Sequence, residues 1–232
     1  MQFDLLSAGA AQGLVGAIQE QFTRESGCAL NATFGAVGAM LEKFDAGAPA
    51  DAIILTRKQI DALAQAGRVR AESVVDLGVV RTGVALKDGA AAVSVATADA
   101  LRAALRAAAE IHFPDPQRAT AGIHFARVVD ALGIRAEIES RLRPHPNGAT
   151  AMRALAASPQ AGAIGCTQKT EILATPGVRW IGALPQEFEL ATVYASAVAA
   201  SARSPRQAAE LLALLGGAAT RELRRRLGFE ER

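Results

Sequence analysis

Cysteine, lysine and long apolar runs are all scarce in this chain of 232 residues. Two cysteines, Cys28 and Cys166, cannot staple a fold of this size, so a disulfide scaffold is excluded. No segment approaches roughly 18 uninterrupted apolar residues, and no membrane insertion is expected. A basic excess is missing as well: 25 Lys+Arg stand against 23 Asp+Glu, a net charge of +2, which argues against a nucleic-acid binder of the usual basic kind. Lysine occurs only at Lys43, Lys58, Lys87 and Lys169, so nearly all the positive charge is arginine. Arginine offers a planar fork of donors that matches carboxylates. Three scattered histidines and two separated cysteines have no metal-ligand spacing, and there is no Walker-type glycine loop. The expectation is therefore no metal and no cofactor. The opening MQFDLLSAGAAQGL has no basic n-region, long apolar h-region or secretory cleavage motif. On that reading the protein is cytoplasmic as given, and periplasmic if a signal peptide has been removed from a longer chain.

What is present is apolar material in short, regular pieces. Half the residues are hydrophobic, enough for a sizeable core. Short apolar runs alternate with helical patterns over the first eighty residues, which argues for parallel βαβ units. A strand at Phe3–Ser7 leads through Ala8-Gly9-Ala10-Ala11 into a helix from about Gln12 to Ser26, striped by Leu14, Ile18 and Phe22. A strand at Ala29–Phe34 enters the turn Gly35-Ala36-Val37-Gly38 and a helix through Leu41 and Phe44. A third strand, Ala52–Leu55, is followed by Thr56 and Arg57, which open the helix of Ile60 and Leu63. Beyond a long strand at Val79–Leu86 the alternation starts afresh. It predicts a strand at Ala92–Ala96, a helix Asp99–Glu110 and a turn Phe113-Pro114-Asp115-Pro116. A helix Ala121–Leu132, an irregular stretch 143–148, a helix Ala149–Ala157 and a strand Ala161–Gly165 come next. Val178–Ile181 and Leu190–Ala200 read as strands before two C-terminal helices. The fold class is α/β with two lobes, each a mainly parallel sheet flanked by helices. Residues 1–81 and 193–232 form the first lobe and residues 82–192 the second.

Three strand-to-helix turns of the first lobe are built from small residues. In open parallel sheets ligands sit beyond the carboxyl ends of strands. Small side chains let the backbone approach a ligand, and the unpaired amides of a helix N-terminus favour an anion. The same small residues also permit tight packing of helix on strand, so each turn taken singly supports either reading.

Ser7-Ala8-Gly9-Ala10, the helix ending Gln21-Phe22-Thr23-Arg24-Glu25-Ser26-Gly27, and the segment Ala46-Gly47-Ala48-Pro49-Ala50-Asp51 carry a family likeness. With Asp115-Pro116, Ala121-Gly122-Ile123, the strand at 162–165 and the closing Leu227-Gly228-Phe229, the chain resembles the periplasmic molybdate-binding proteins along nearly its whole length. The resemblance implies a class II solute-binding fold, with a ligand held in a cleft between two lobes. It also implies an anion site of serine hydroxyls, backbone amides and one tyrosine hydroxyl. The matching positions here are Ala10, Val37 and Gly165, so each of those side-chain hydroxyls is replaced. Hydrogen bonds to a charged group are worth roughly 1.5–3 kcal/mol each, and molybdate is not the expected ligand.

The ligand expected instead is a small organic anion of di- or tricarboxylate type. The candidate binding residues are Ala10, Ala11, Val37, Gly38, Thr56, Arg57, Arg81, Arg118, Thr120, Ala121, Asn147, Thr167 and Gln168, because hydroxyls, amides and guanidinium forks at such turns suit carboxylates. Helix-start threonines are also common caps, and surface arginines are often merely solvated. Two functions follow. One is a monomeric binding protein that partners an ABC-transporter permease if exported. The other is a carboxylate isomerase, since the resemblance extends to aconitate isomerase. Proton transfer next to a carboxylate needs a base, for which His145, His124 and Lys169 are the candidates, with Cys166 a weaker one. His112 reads as a structural residue at a helix end. Arg221, Arg224, Arg225 and Arg226 read as a solvated helix terminus.

Overall fold

The computed structural model describes residues 2–231; Met1, as a candidate native start, lies outside them. The chain divides into two compact units. One runs to Val80 and resumes at Thr192, and the other is Arg81–Ala191.

In the first unit, strands β1 (Gln2–Ala8), β2 (Ala29–Gly35) and β3 (Ala52–Thr56) are parallel, with β1 in the middle. The register sets Ala8 opposite Gly35 and Ser7 opposite Ile54, so the three carboxyl ends lie side by side. Strand β9 (Ala191–Val198) runs antiparallel to β3. Helix α1 (Gln12–Ser26) buries Leu14, Val15, Ile18 and Phe22, one stripe at three- and four-residue spacing. It stops at Gly27, whose φ of 69° lets its N–H turn back to the Thr23 carbonyl at 3.0 Å. Helices α2 (Val37–Asp45) and α3 (Arg57–Gln65) follow β2 and β3 directly. Near the chain end α9 (Pro205–Gly216) starts on a proline and packs on α1 through Ala208, Leu211, Leu212 and Leu215.

A buried acid stitches this unit together. Asp51 is fully buried and accepts from the amides of Asp4 (3.0 Å), Arg203 (2.7 Å) and Ser204 (2.8 Å). The last strand-like contact of the unit pairs Glu230 with Val79, and Phe229 enters the core.

Strand β4 (Val75–Lys87) carries the chain into the second unit, where it pairs antiparallel with β7 (Ile164–Gln168) and β8 (Val178–Ala183). Strand β7 runs parallel to β5 (Ile111–Pro114), and β5 parallel to β6 (Leu142–His145). Helices α4 (Ala98–Ala107), α5 (Thr120–Ala131), α6 (Arg135–Ile138), α7 (Gly148–Ala157) and α8 (Lys169–Leu173) complete it. The short α10 (Arg221–Arg226) belongs to the first unit.

Four sequence expectations differ from this structure. Ala92–Ala96 is not a strand: only Val95 is buried there, and an alanine-rich run with one buried side chain has no face to pair and pack. The 113–116 turn begins later, because Ile111–Pro114 is a strand buried at every position; His112 therefore sits in a sheet and not at a helix end. Residues 142–145 form an edge strand, where Pro144 costs no ladder hydrogen bond. The strand placed at 161–165 lies at Ile164–Gln168, which puts Thr167 and Gln168 inside it.

Candidate functional site

Helices α1, α2 and α3 begin within one to four residues of the carboxyl ends of β1, β2 and β3. Ala10 and Ala11 form a buried 3-10 turn ahead of α1, Val37 is the buried first residue of α2, and Thr56 precedes α3. The residues before these helices, Ala11, Ala36 and Thr56, make no side-chain cap. Helix N-terminal amides without side-chain acceptors retain their partial positive charge. Three such termini side by side on one sheet edge therefore suit a negatively charged group. A separate concavity of about 340 Å³, lined by Pro49, Ala50, Arg68 and Arg203 among others, lies at the start of β3 and not at its carboxyl end. Its arginines are matched to acids, Arg68 to Asp45 at 3.2 Å and Arg203 to Asp4.

Several predicted anion-binding side chains have local partners. Arg57 is held by Asp61 at 2.7 Å and Asp76 at 2.9 Å, and those hydrogen bonds raise its pKa. Arg81 pairs with Glu189. Asn147 caps α7 by accepting from the Thr150 amide at 2.9 Å. Arg118 is exposed just before α5, whose first residues, Thr120 and Ala121, lie at an end without a side-chain cap. Gly38 is half-buried in the first turn of α2.

The base candidates are dispersed within the second unit. His124 Nε2 lies 2.8 Å from the Phe188 carbonyl; since that oxygen only accepts, Nε2 carries the proton. His145 Nε2 is 3.0 Å from His112 Nδ1, with the rings stacked 5.3 Å apart. Burial holds both imidazoles below the ordinary histidine range, although Glu110 opposes this at His112. Lys169 stands over the Trp180 ring at 5.8 Å. Cys166 is buried, and burial pushes its thiol far up, so it stays protonated. Among the described residues no group of three or more His, Cys, Asp or Glu is placed to hold a metal.

A buried polar cluster of the second unit lies where β7 meets α8. Gln168, the last residue of β7, is 3 % exposed, and neither atom of its amide has a partner among the described residues. Thr82 lies opposite it on β4, 1 % exposed, with its hydroxyl likewise unpartnered; so is that of Thr170 in α8. Beside them is Glu171, a buried acid. Thr167 Oγ1 donates to it at 2.6 Å, and the backbone amides of Gln168, Ala149 and Gly148 donate as well. Burial outweighs these donors and raises its pKa. A Cβ on Gly148 would overlap this carboxyl, so glycine is what lets Glu171 reach the first amides of α7. Sequence reasoning singled out Thr167 and Gln168 and missed Thr82, Thr170 and Glu171. The available signal for Glu171 was its place three residues after Gln168, the spacing at which an acid reaches back to a helix-start amide.

A family model described as bacterial extracellular solute-binding protein matches residues 3–230. The chain belongs to this family. Among solved structures, the periplasmic molybdate-binding protein of Azotobacter vinelandii has a TM-score of 0.80 at 16% identity, covering 99% of each chain. The sulfate-binding protein SubI of Mycobacterium tuberculosis gives 0.75 at 16% identity, covering 100% of this chain and 87% of that one. These likenesses establish the two-lobed α/β fold of the periplasmic binding proteins. Among curated relatives, an aconitate isomerase from a Pseudomonas species is 25% identical over 220 residues, 91% of this chain and 80% of that protein. Among the described residues, no helix of this solute-binding family member is long and apolar enough to cross a membrane.

Proposed function

We propose that this protein binds a small organic anion of the di- or tricarboxylate class, and not molybdate. The observation that carries the reading is the row of three uncapped helix N-termini at the β1–β3 edge, lined by Ala10, Val37 and Thr56. Those amides can hold a carboxylate. A tetrahedral dianion without hydroxyl donors at Ala10 and Val37 loses on the order of 1.5–3 kcal/mol for each missing hydrogen bond. The proposed contacts in the first unit are the backbone at Ala10, Ala11, Val37 and Gly38, with Thr56. Those in the second are Arg118, Thr120, Ala121 and the Thr167–Gln168 strand end. Arg57, Arg81 and Asn147 serve local structure instead. By the chemistry of its family the protein would hand its ligand to an ABC transporter.

The test is a thermal-shift and calorimetric titration with molybdate, sulfate, succinate, malate, citrate and tricarballylate. Polycarboxylates raise the melting temperature and the two inorganic anions leave it within error. Arg118→Ala weakens the best acid about tenfold without lowering the melting temperature of the free protein. Tight molybdate binding, or no response to any carboxylate, overturns the reading.

The curated relative that is an aconitate isomerase supports a second reading, proton transfer on an unsaturated tricarboxylate. Proton NMR of the protein with cis- or trans-aconitate decides it, because a second isomer accumulates only if the protein is a catalyst.

A further inference from the structure

Gln168 ends a strand whose carboxyl edge is where α/β sheets meet ligands, and its amide oxygen and nitrogen are both buried and unpartnered. A buried polar group without a partner costs roughly 1–3 kcal/mol, so such groups in a folded protein call for a partner that the surrounding side chains and backbone do not supply, an ordered water or a ligand. Of the six buried side-chain atoms without partners among the described residues, four lie on Gln168, Thr82 and Thr170. Thr82 and Gln168 are directly opposed on antiparallel strands, so both side chains share one face with their Cβ atoms about 4.5–5.5 Å apart. Gln168 occupies the cap position of α8, yet its side chain caps nothing. Glu171 takes the Gln168 backbone amide and also the Gly148 and Ala149 amides at the start of α7. The α7 terminus is therefore filled by the protein's own carboxyl. What this edge offers a ligand is neutral: one amide oxygen that accepts, one amide nitrogen that donates, and a hydroxyl beside them.

We infer that Gln168 and Thr82 select a 2-hydroxycarboxylate, a deepening that rests on the carboxylate reading above. In such an acid a hydroxyl and a carboxylate oxygen sit on neighbouring carbons and present a donor next to an acceptor. The ligand hydroxyl donates to Gln168 Oε1, the ligand carboxylate accepts from Gln168 Nε2, and the Thr82 hydroxyl donates to the same carboxylate. A simple dicarboxylate has no donor for Gln168 Oε1 and leaves it buried and unpaired. Sites built around a ligand hydroxyl discriminate strongly against the analogue that lacks it.

The experiment compares matched pairs by calorimetry, malate with succinate and citrate with tricarballylate. The wild-type protein favours the hydroxy acid of at least one pair by about a hundredfold or more. Gln168→Leu reduces that preference below about tenfold; the deoxy acid, which loses only the Nε2 hydrogen bond, weakens less than the hydroxy acid, and Thr82→Val weakens both members of the pair about equally. Without ligand, Gln168→Leu melts at a higher temperature, because it removes two unpaired buried atoms. A variant that melts lower overturns the claim that this amide lacks a structural partner. Equal binding of both members of each pair overturns the hydroxyl inference and leaves the carboxylate reading standing. Binding of none of the four acids overturns that reading and the inference with it.

Discussion

Glu171 shows how one residue couples pH to stability. Its pKa is raised by burial, against the pull of Thr167 and three backbone amides. The folded state therefore holds its proton to higher pH than the unfolded chain does. Stability from this group is fully present below the unfolded carboxyl pKa, about 4.3, and is lost as pH rises through the folded value. Glu171→Gln, which does not titrate, removes that slope. Melting temperatures measured from pH 4 to 8 should show the wild-type protein losing ground to Glu171→Gln as pH increases. Parallel curves would show that the carboxyl titrates as it does in the unfolded chain. The arginines show the opposite case of a charge already spent locally. Arg224, in the C-terminal basic stretch, donates to the Leu215 and Gly217 carbonyls at 2.8 and 3.0 Å and closes the end of α9. That is a structural use of the arginine-rich stretch that the sequence left as a solvated helix end.

At the level of elements, α7 is capped twice. Asn147 accepts from the Thr150 amide, and Glu171 takes the Gly148 and Ala149 amides. Asn147→Ala should cost about 1 kcal/mol in urea melts, with Asn147→Ser restoring most of it. Carboxylate affinity should stay unchanged in both, whereas a tenfold loss would make Asn147 a ligand contact. Which elements could be read from sequence follows from local pattern. Helix α1 was legible because Leu14, Ile18 and Phe22 repeat at its own period and Gly27 ends it. The parallel strands β1 and β3 were legible as short apolar runs before small-residue turns. Strands β5 and β6 were not, because Ile111–Pro114 and Leu142–His145 are four residues each, contain prolines and owe their form to pairing with each other. The site divides the same way. Candidates announced by a strand-to-helix turn, such as Thr167 and Gln168, could be singled out. Thr82, brought opposite Gln168 across 86 positions of sequence by strand pairing, could not.

For the whole molecule, the first unit depends on residues near the end of the chain. Phe229 is 3 % exposed within its core, and Glu230 exchanges two backbone hydrogen bonds with Val79, at 2.7 and 2.8 Å. Phe229→Ala should destabilise this unit by about 3–5 kcal/mol, read as a lowered urea midpoint of intrinsic signals from the unit. A change below about 1 kcal/mol would mean that the C-terminal segment is only loosely attached.

The buried Asp51 has a consequence for how the protein is made. Two of the three amides that neutralise it, those of Arg203 and Ser204, lie 152 and 153 residues further along the chain. A ribosome therefore releases the beginning of the first unit long before it releases the groups that complete it, while Arg81–Ala191 emerges as one uninterrupted stretch. The order of synthesis and the order of folding part company: the middle of the chain can finish first, and the early βαβ segment must wait, with its buried acid short of donors, for the last strand and helices to arrive.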